Sequence, residues 1–284
     1  MIERYELHEW QWQLICDLFP PPKATGRKRR DPRQMLNAIF WILCSGASWR
    51  DLPERYGPWQ SAYHWYRIWT NDGTFDRILE RLQVRLKAEG LVDLDTWFID
   101  STNGRASRAA AGAKRGCEAL GRSRGGFSTK LHLVCDGLGN PLAALLTPGQ
   151  QHESTVCTEL LASVRVRTSA GGGRPRSRPK VVVADRGYDA GAFRRYLRRR
   201  SIRCVIPEKR IPAGKRRRRR GRPPTFCRTT YCQRNMVERL VGWLKEHRRI
   251  ATRFEKLASS FLAMVKLSFV RRYFRMLERF SGST

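Results

Sequence analysis

Three acidic side chains stand where chemistry could use them. Asp100 follows the apolar run Thr96-Trp-Phe-Ile99, and Asp185 follows the β-branched run Lys180-Val-Val-Val-Ala184. Glu238 lies within Tyr231-Cys-Gln-Arg-Asn-Met-Val-Glu-Arg-Leu-Val-Gly-Trp-Leu-Lys245. Short apolar runs of this kind read as buried strands, which puts both aspartates at C-terminal strand ends. In a βαβ-type sheet adjacent strand ends lie side by side, and a helix crossing that edge can supply a third group. On a helix turning by about 100° per residue, Tyr231, Arg234, Glu238, Lys245 and Arg249 share an arc of roughly 60°. Met236, Val237, Leu240, Val241 and Leu244 lie opposite, as a packing face. One carboxylate on such a polar face is commonly a salt-bridge partner and nothing more. Three converging carboxylates repel one another unless a cation lies between them. Oxygen-only ligation suits Mg²⁺ or Mn²⁺, and two such ions could clamp a phosphodiester between an activated water or 3′-hydroxyl and the leaving oxygen.

The charge balance names the partner class. Against 25 Asp and Glu stand 56 Lys and Arg, a formal net charge of +31 over 284 residues. An excess this large repels itself in a compact chain unless a polyanion neutralises it, so nucleic acid is the expected partner class. No long apolar run or anchor supports a membrane-bound alternative. The start, Met1-Ile-Glu-Arg-Tyr-Glu, has neither a signal-peptide core nor a transit-peptide composition, and a cytoplasmic, nucleoid-associated location is expected. The eight cysteines contain no Cys-x-x-Cys pair and read as reduced thiols in or near the core.

The elements that must position the carboxylates divide the chain into three. Residues 1–90 read as an all-helical, helix-turn-helix-like DNA-binding domain. A short helical stretch, Glu9–Phe19, is stopped by Pro20-Pro21-Pro22. Asp31-Pro32 caps a second helix whose apolar face includes Met35, Leu36, Ile39, Phe40, Ile42 and Leu43, and Gly46 ends it. Trp49–Tyr56, Gly57-Pro58 and Trp59–Trp69 then read as helix, turn, helix, with Gln60, Ser61, His64 and Arg67 outward and expected on DNA. A further helix, Phe75–Ala88, leads to a boundary at Gly90.

Residues 91–255 switch period. Strands are expected at 94–101, 127–135, 141–146, 180–184 and 202–206, and helices at 153–167 and from Asp189 to about Arg200. Asp136 and Asp189 read as turn residues. Two basic stretches, 104–126 and 208–228, read as mobile loops; the second contains Arg216–Arg220 and is expected to meet phosphate. A basic helical tail over residues 256–284 completes the chain. The residues alone leave open a DNA-binding protein without catalysis and a metal-dependent nuclease without strand joining.

Tyr231-x2-Arg234-x3-Glu238-x6-Lys245 resembles the signature around the last acidic residue of bacterial DDE transposases. Trp97-Phe-Ile-Asp100-Ser-Thr and Val182-Val-Ala-Asp185-Arg-Gly-Tyr-Asp189 resemble the contexts of their first and second aspartates. Gly125-Gly-Phe-Ser-Thr-Lys-Leu-His132, Leu146-Thr-Pro-Gly-Gln-Gln-His-Glu153 and Gly46-Ala-Ser-Trp-Arg-Asp-Leu-Pro53 are similar to stretches of the insertion sequence five family. The resemblance covers nearly the whole chain. It implies an α/β, ribonuclease H-like catalytic domain in which Asp100, Asp185 and Glu238 bind two Mg²⁺ or Mn²⁺ ions, while Tyr231, Arg234 and Lys245 handle the transposon end near the cut. The implied activity is recognition of terminal inverted repeats, end cleavage and joining of the 3′-hydroxyl to target DNA, by a homodimer holding paired ends. Glu153 departs from the family pattern, in which an aspartate follows His152, and His152 itself reads as a structural polar residue.

Overall fold

In the computed structural model, residues 4–20, 29–112, 118–123, 125–169, 171–209 and 226–281 are described. Most of the 208–228 arm and the middle of the 104–126 stretch lie outside them. The helical N-terminal region contains α1 (Glu9–Gln13), α2 (Pro32–Ser45), α3 (Trp59–Asn71) and α4 (Thr74–Ala88). Asp31 caps α2 by accepting from the Arg33 amide, with Pro32 in the first turn. Gly46 ends it at φ +71°, where an added Cβ would also meet the Arg248 side chain at 2.6 Å. The first member of the expected helix pair is instead two 3₁₀ turns, Trp49–Asp51 and Glu54–Tyr56. Pro53 has no N–H to donate and holds Leu52 extended, which splits the segment. The region remains all-helical and helix-turn-helix-like.

Beyond it lies a mixed sheet of β1 (Thr96–Ala106), β2 (Gly121–Ser123), β3 (Gly126–Cys135), β4 (Pro141–Pro148), β5 (Val181–Ala184), β6 (Arg203–Val205) and β7 (Thr252–Arg253). The order is β2-β3-β1-β5-β6, with β4 also on β3 and β7 also on β1. The β1–β3 and β3–β4 pairs are antiparallel, whereas β1–β5 and β5–β6 are parallel. Helices α6 (Cys157–Ser163) and α7 (Gly191–Arg199) cover one face. The other carries α9 (Asn235–Glu246), α11 (Ala258–Ser281) and, against them, the N-terminal helices. This is a ribonuclease H-like fold behind a helical region. Short helices α5 (Arg108–Ala111), α8 (Arg228–Cys232) and α10 (Arg248–Ala251) complete the described elements.

Two boundaries differ from expectation for tertiary reasons. β1 runs on through Gly104–Ala106 because β3 pairs it as far as Arg105↔Ser128 and β7 pairs Arg105 and Ala106 on the other side. The expected 153–167 helix is a 3₁₀ turn at Glu153–Thr155 followed by α6, after which Val164 turns extended and is buried. The chain after α9 is tied down by buried polar contacts: the Tyr273 hydroxyl donates to the Pro141 carbonyl and accepts from Gln83, and the Tyr66 hydroxyl donates to the Ser260 carbonyl. Among the described residues no helix is long and apolar enough to cross a membrane.

Candidate active site

Alternation along β1 and β5 decides where each aspartate points. Phe98 and Val183 pack into the core beneath α9 and α11, whereas Trp97, Ile99, Val182 and Ala184 pack beneath α6 and α7. The parallel register pairs Phe98 with Val183 and Ile99 with Ala184. Continued one step, it sets Asp100 beside Asp185 on the α9 face, because successive side chains alternate. Asp185 leaves the strand as cap of a 3₁₀ turn, its Oδ1 accepting from the Gly187 amide at 2.9 Å.

α8 and α9 are not one helix; the break falls at Gln233-Arg234. Arg234 therefore stands at the start of α9 and reaches in two directions. Its Nη2 donates to Asp100 Oδ2 at 3.0 Å and its Nη1 to Glu238 Oε1 at 2.5 Å. Asp100 also accepts from the Ser101 amide at 2.8 Å. Burial pushes the Asp100 carboxyl above its usual range, Arg234 opposes this, and the charges of Asp185 and Glu238 add to the rise. Burial works against the Arg234 cation, but Asp100, Glu238, Tyr231 and Asp185 outweigh it and raise its pKa. Its Nε is buried with no hydrogen-bond partner among the described residues.

The arrangement is a negative site with a side-chain cation held between two of its carboxylates. Among the described residues no group of three His, Cys, Asp or Glu is close enough to hold a metal ion as placed. The donor set nevertheless suits a hard divalent cation: all three acids are oxygen ligands, and the guanidinium meets the demand for positive charge at that point. Arg234 joins Asp100 to Glu238, and the strand register sets Asp185 beside Asp100.

Residues 93–271 match the family model described as "Transposase DDE domain", and residues 7–79 match "Putative transposase of IS4/5 family". The chain belongs to the IS4/5 family of DDE transposases. It is 36% identical over 161 residues to "Putative transposase for insertion sequence element IS402" of Burkholderia cepacia, covering 57% of this chain and 69% of that protein. It is 30% identical over 142 residues to "Putative transposase for insertion sequence element IS6501" of Brucella ovis, covering 50% and 95% respectively. Among solved structures, "Mos1 transposase paired-end complex with left transposon end" aligns over 92% of this chain and 82% of that one, at a TM-score of 0.24 and 12% identity, too slight a likeness to carry an argument.

The transposase places the other expected contacts unevenly. Tyr231, in α8, is half-buried against Phe226, and Lys245 is exposed in the last turn of α9, two turns from Glu238. On α3, Gln60 and His64 are exposed, and Ser61 and Arg67 are half-buried. Arg249 is a correction. α9 ends at Glu246, His247 is extended, and the arc through Glu238 does not reach Arg249. That arginine is buried, its Nε pairing with Glu255 at 2.6 Å and its Nη1 donating to the Ala47 carbonyl at 2.5 Å. It joins the α9–α10 corner to the end of α2.

A polar group on the opposite face went unread in the sequence. Ser101, one residue past Asp100, donates to Glu153 Oε1 at 3.3 Å, and Lys130 pairs with the same oxygen at 2.7 Å. Tyr188 is buried nearby; burial pushes its phenol up, and the charges of Asp100, Glu153 and Asp185 add to the rise. The signal available was strand alternation, which sends Ser101 and Lys130 to the face that Asp100 avoids.

Proposed function

We propose that this transposase binds the terminal inverted repeats of its insertion sequence, cleaves the end phosphodiester and joins the freed 3′-hydroxyl to target DNA. The single observation that supports this most is the pair of aspartates just past the end of the β1–β5 parallel ladder, one of them, Asp100, linked through Arg234 to Glu238. Asp100, Asp185 and Glu238 are the proposed ligands of two Mg²⁺ or Mn²⁺ ions. When bound, such ions activate the attacking oxygen and stabilise the leaving one. The chain's own part is to fix three carboxylates at one edge and to supply cations for the phosphate. Arg234 exchanges its carboxylate partners for the phosphate of the transposon end, since a guanidinium fits both in the same forked geometry. Lys245 and Tyr231 flank that end.

Residues 1–90 form the proposed repeat-recognition domain, with Gln60, Ser61, His64 and Arg67 on DNA; residues 91–255 are the catalytic domain and 256–284 its helical tail. Two ends cut in one complex call for two copies of the chain, hence a homodimer acting on the bacterial nucleoid in the cytoplasm. Cleavage and joining of an end-containing duplex with Mg²⁺ or Mn²⁺ tests the proposal. Activity is expected in the wild type and lost in Asp100→Asn and Glu238→Gln; undiminished cleavage in both variants would sink it.

A further inference from the structure

At the far end of β5 from Asp185, a cleft of about 320 Å³ is lined by Arg174, Ser177, Arg178 and Arg200. It shares Arg174, Ser177 and Arg178 with a wider one of about 480 Å³ that adds, among others, Lys180 and Ser201. Neither contains a carboxylate. Two cations of the wider cleft, Arg176 and Lys180, are paired with Asp95, each at 2.6 Å. Arg174 is exposed and makes no ion pair among the described residues, and the same holds for Arg198 and Arg199 at the end of α7.

Two of the cleft arginines, Arg178 and Arg200, are oriented without being neutralised. Arg178 Nη1 donates to the Arg200 carbonyl at 3.0 Å, and Arg200 Nη2 donates to the Ser177 carbonyl at 3.1 Å. Arg200 also lies over the Tyr196 ring, its Nη1 within 2.6 Å of the hydroxyl. Carbonyls and a phenol hold the guanidinium planes but leave their charge intact, so each retains donors for a phosphate. A solvated charge run would spread its arginines apart in water, whereas these converge on one concavity.

We infer that this cleft grips the backbone of a DNA duplex at a place separate from the cut. The inference rests on the chain acting on DNA as proposed above, and it adds a second contact at the opposite end of the same strand. From Lys180 to Asp185 is five residues, about 17 Å along an extended strand. On a duplex whose axis runs parallel to β5, the gripped phosphate therefore lies about five base pairs from the scissile one, at roughly 3.4 Å per step.

The test measures binding of the full chain to two end-containing duplexes as a function of salt, one ending within about four base pairs of the cut and one reaching well past that span. In Arg174→Gln/Arg178→Gln, the slope of log K against log salt on the longer duplex is expected to drop by about 2, one per cation removed. On the shorter duplex, slope and cleavage rate stay at wild-type values. Arg174→Lys/Arg178→Lys, which keeps the charge, is expected to restore most of the lost slope. Identical slopes for wild type and the Gln variant on the longer duplex would overturn the inference, and so would an equal loss on both duplexes. A wild-type chain that never cleaves with metal would defeat the catalytic proposal while leaving the slope comparison readable.

Discussion

Asp100 lies within β1 and Asp136 directly follows β3, the antiparallel strand paired with it, and burial drives both carboxyls upward. Their partners differ in kind. Asp136 is fully buried and accepts from the amides of Asp93, Leu138 and Asn140 and from the Asn140 side chain, at 2.7–3.1 Å. Burial pushes it to about 7 although all four donors pull the other way. Those donors belong to the turn itself and to the segment beside it, so the carboxylate is part of the architecture. Asp100 has one local amide and an arginine from a separate helix, with two further carboxylates adding to its field. A partner that arrives on another element can leave it. The difference separates an acid that holds a turn from one available to a ligand.

The largest expected effect of breaking this contrast is catalytic. Asp100→Asn or Asp185→Asn should lower strand cleavage by about 10³-fold, since each removes a proposed ligand of the metal ions that act on the phosphate. The urea midpoint should stay level or rise, because a neutral amide costs less to bury than a charge. Asp136→Ala should do the reverse. It leaves buried amides without an acceptor, at a cost of about 3–5 kcal/mol in urea unfolding, while cleavage per folded molecule holds. A stable Asp136→Ala protein without activity would break the comparison.

A buried histidine on the structural side sharpens it. Burial pushes His132 down to about 4, and the Lys130 charge adds to the drop, so the ring is neutral in the fold. The unfolded chain takes up that proton first, near pH 6.5. Stability from this group is therefore complete above about pH 6.5 and lost as pH falls towards 4. Comparing urea stability at the two ends of that window, His132→Gln should flatten the fall by about 3 kcal/mol relative to wild type. The smallest effect is expected at Lys245. Lys245→Ala should leave stability within about 0.5 kcal/mol and reduce the salt slope of DNA binding by about 1.

The two aspartates were legible because Val181–Ala184 and Trp97–Ile99 read as short buried strands, although only Asp185 follows a strand's end and Asp100 lies inside β1, which its neighbours extend to Ala106. Glu238 followed from helical period. What periodicity could not show was where that helix stops. Glu246, His247 and Arg248 are all compatible with a continuing helix, yet Gly46 packs against Arg248, His247 is buried and Arg249 pairs with Glu255, and these contacts turn the chain. The Arg234 bridge was hidden for the same reason, since it depends on the break at Gln233-Arg234. Gly104 and Arg105 carry no strand signal of their own; neighbours on both sides impose it. The split at Leu52-Pro53 was visible in the proline.

Mn²⁺ binding to the full chain, followed by electron paramagnetic resonance, bears most directly on whether Asp100, Asp185 and Glu238 form a cation site. Saturable binding is expected in the wild type, weakened about tenfold or more in Asp100→Asn and Glu238→Gln, and unchanged in Asp136→Asn. Binding by Asp100→Asn and Glu238→Gln equal to that of the wild type would contradict it.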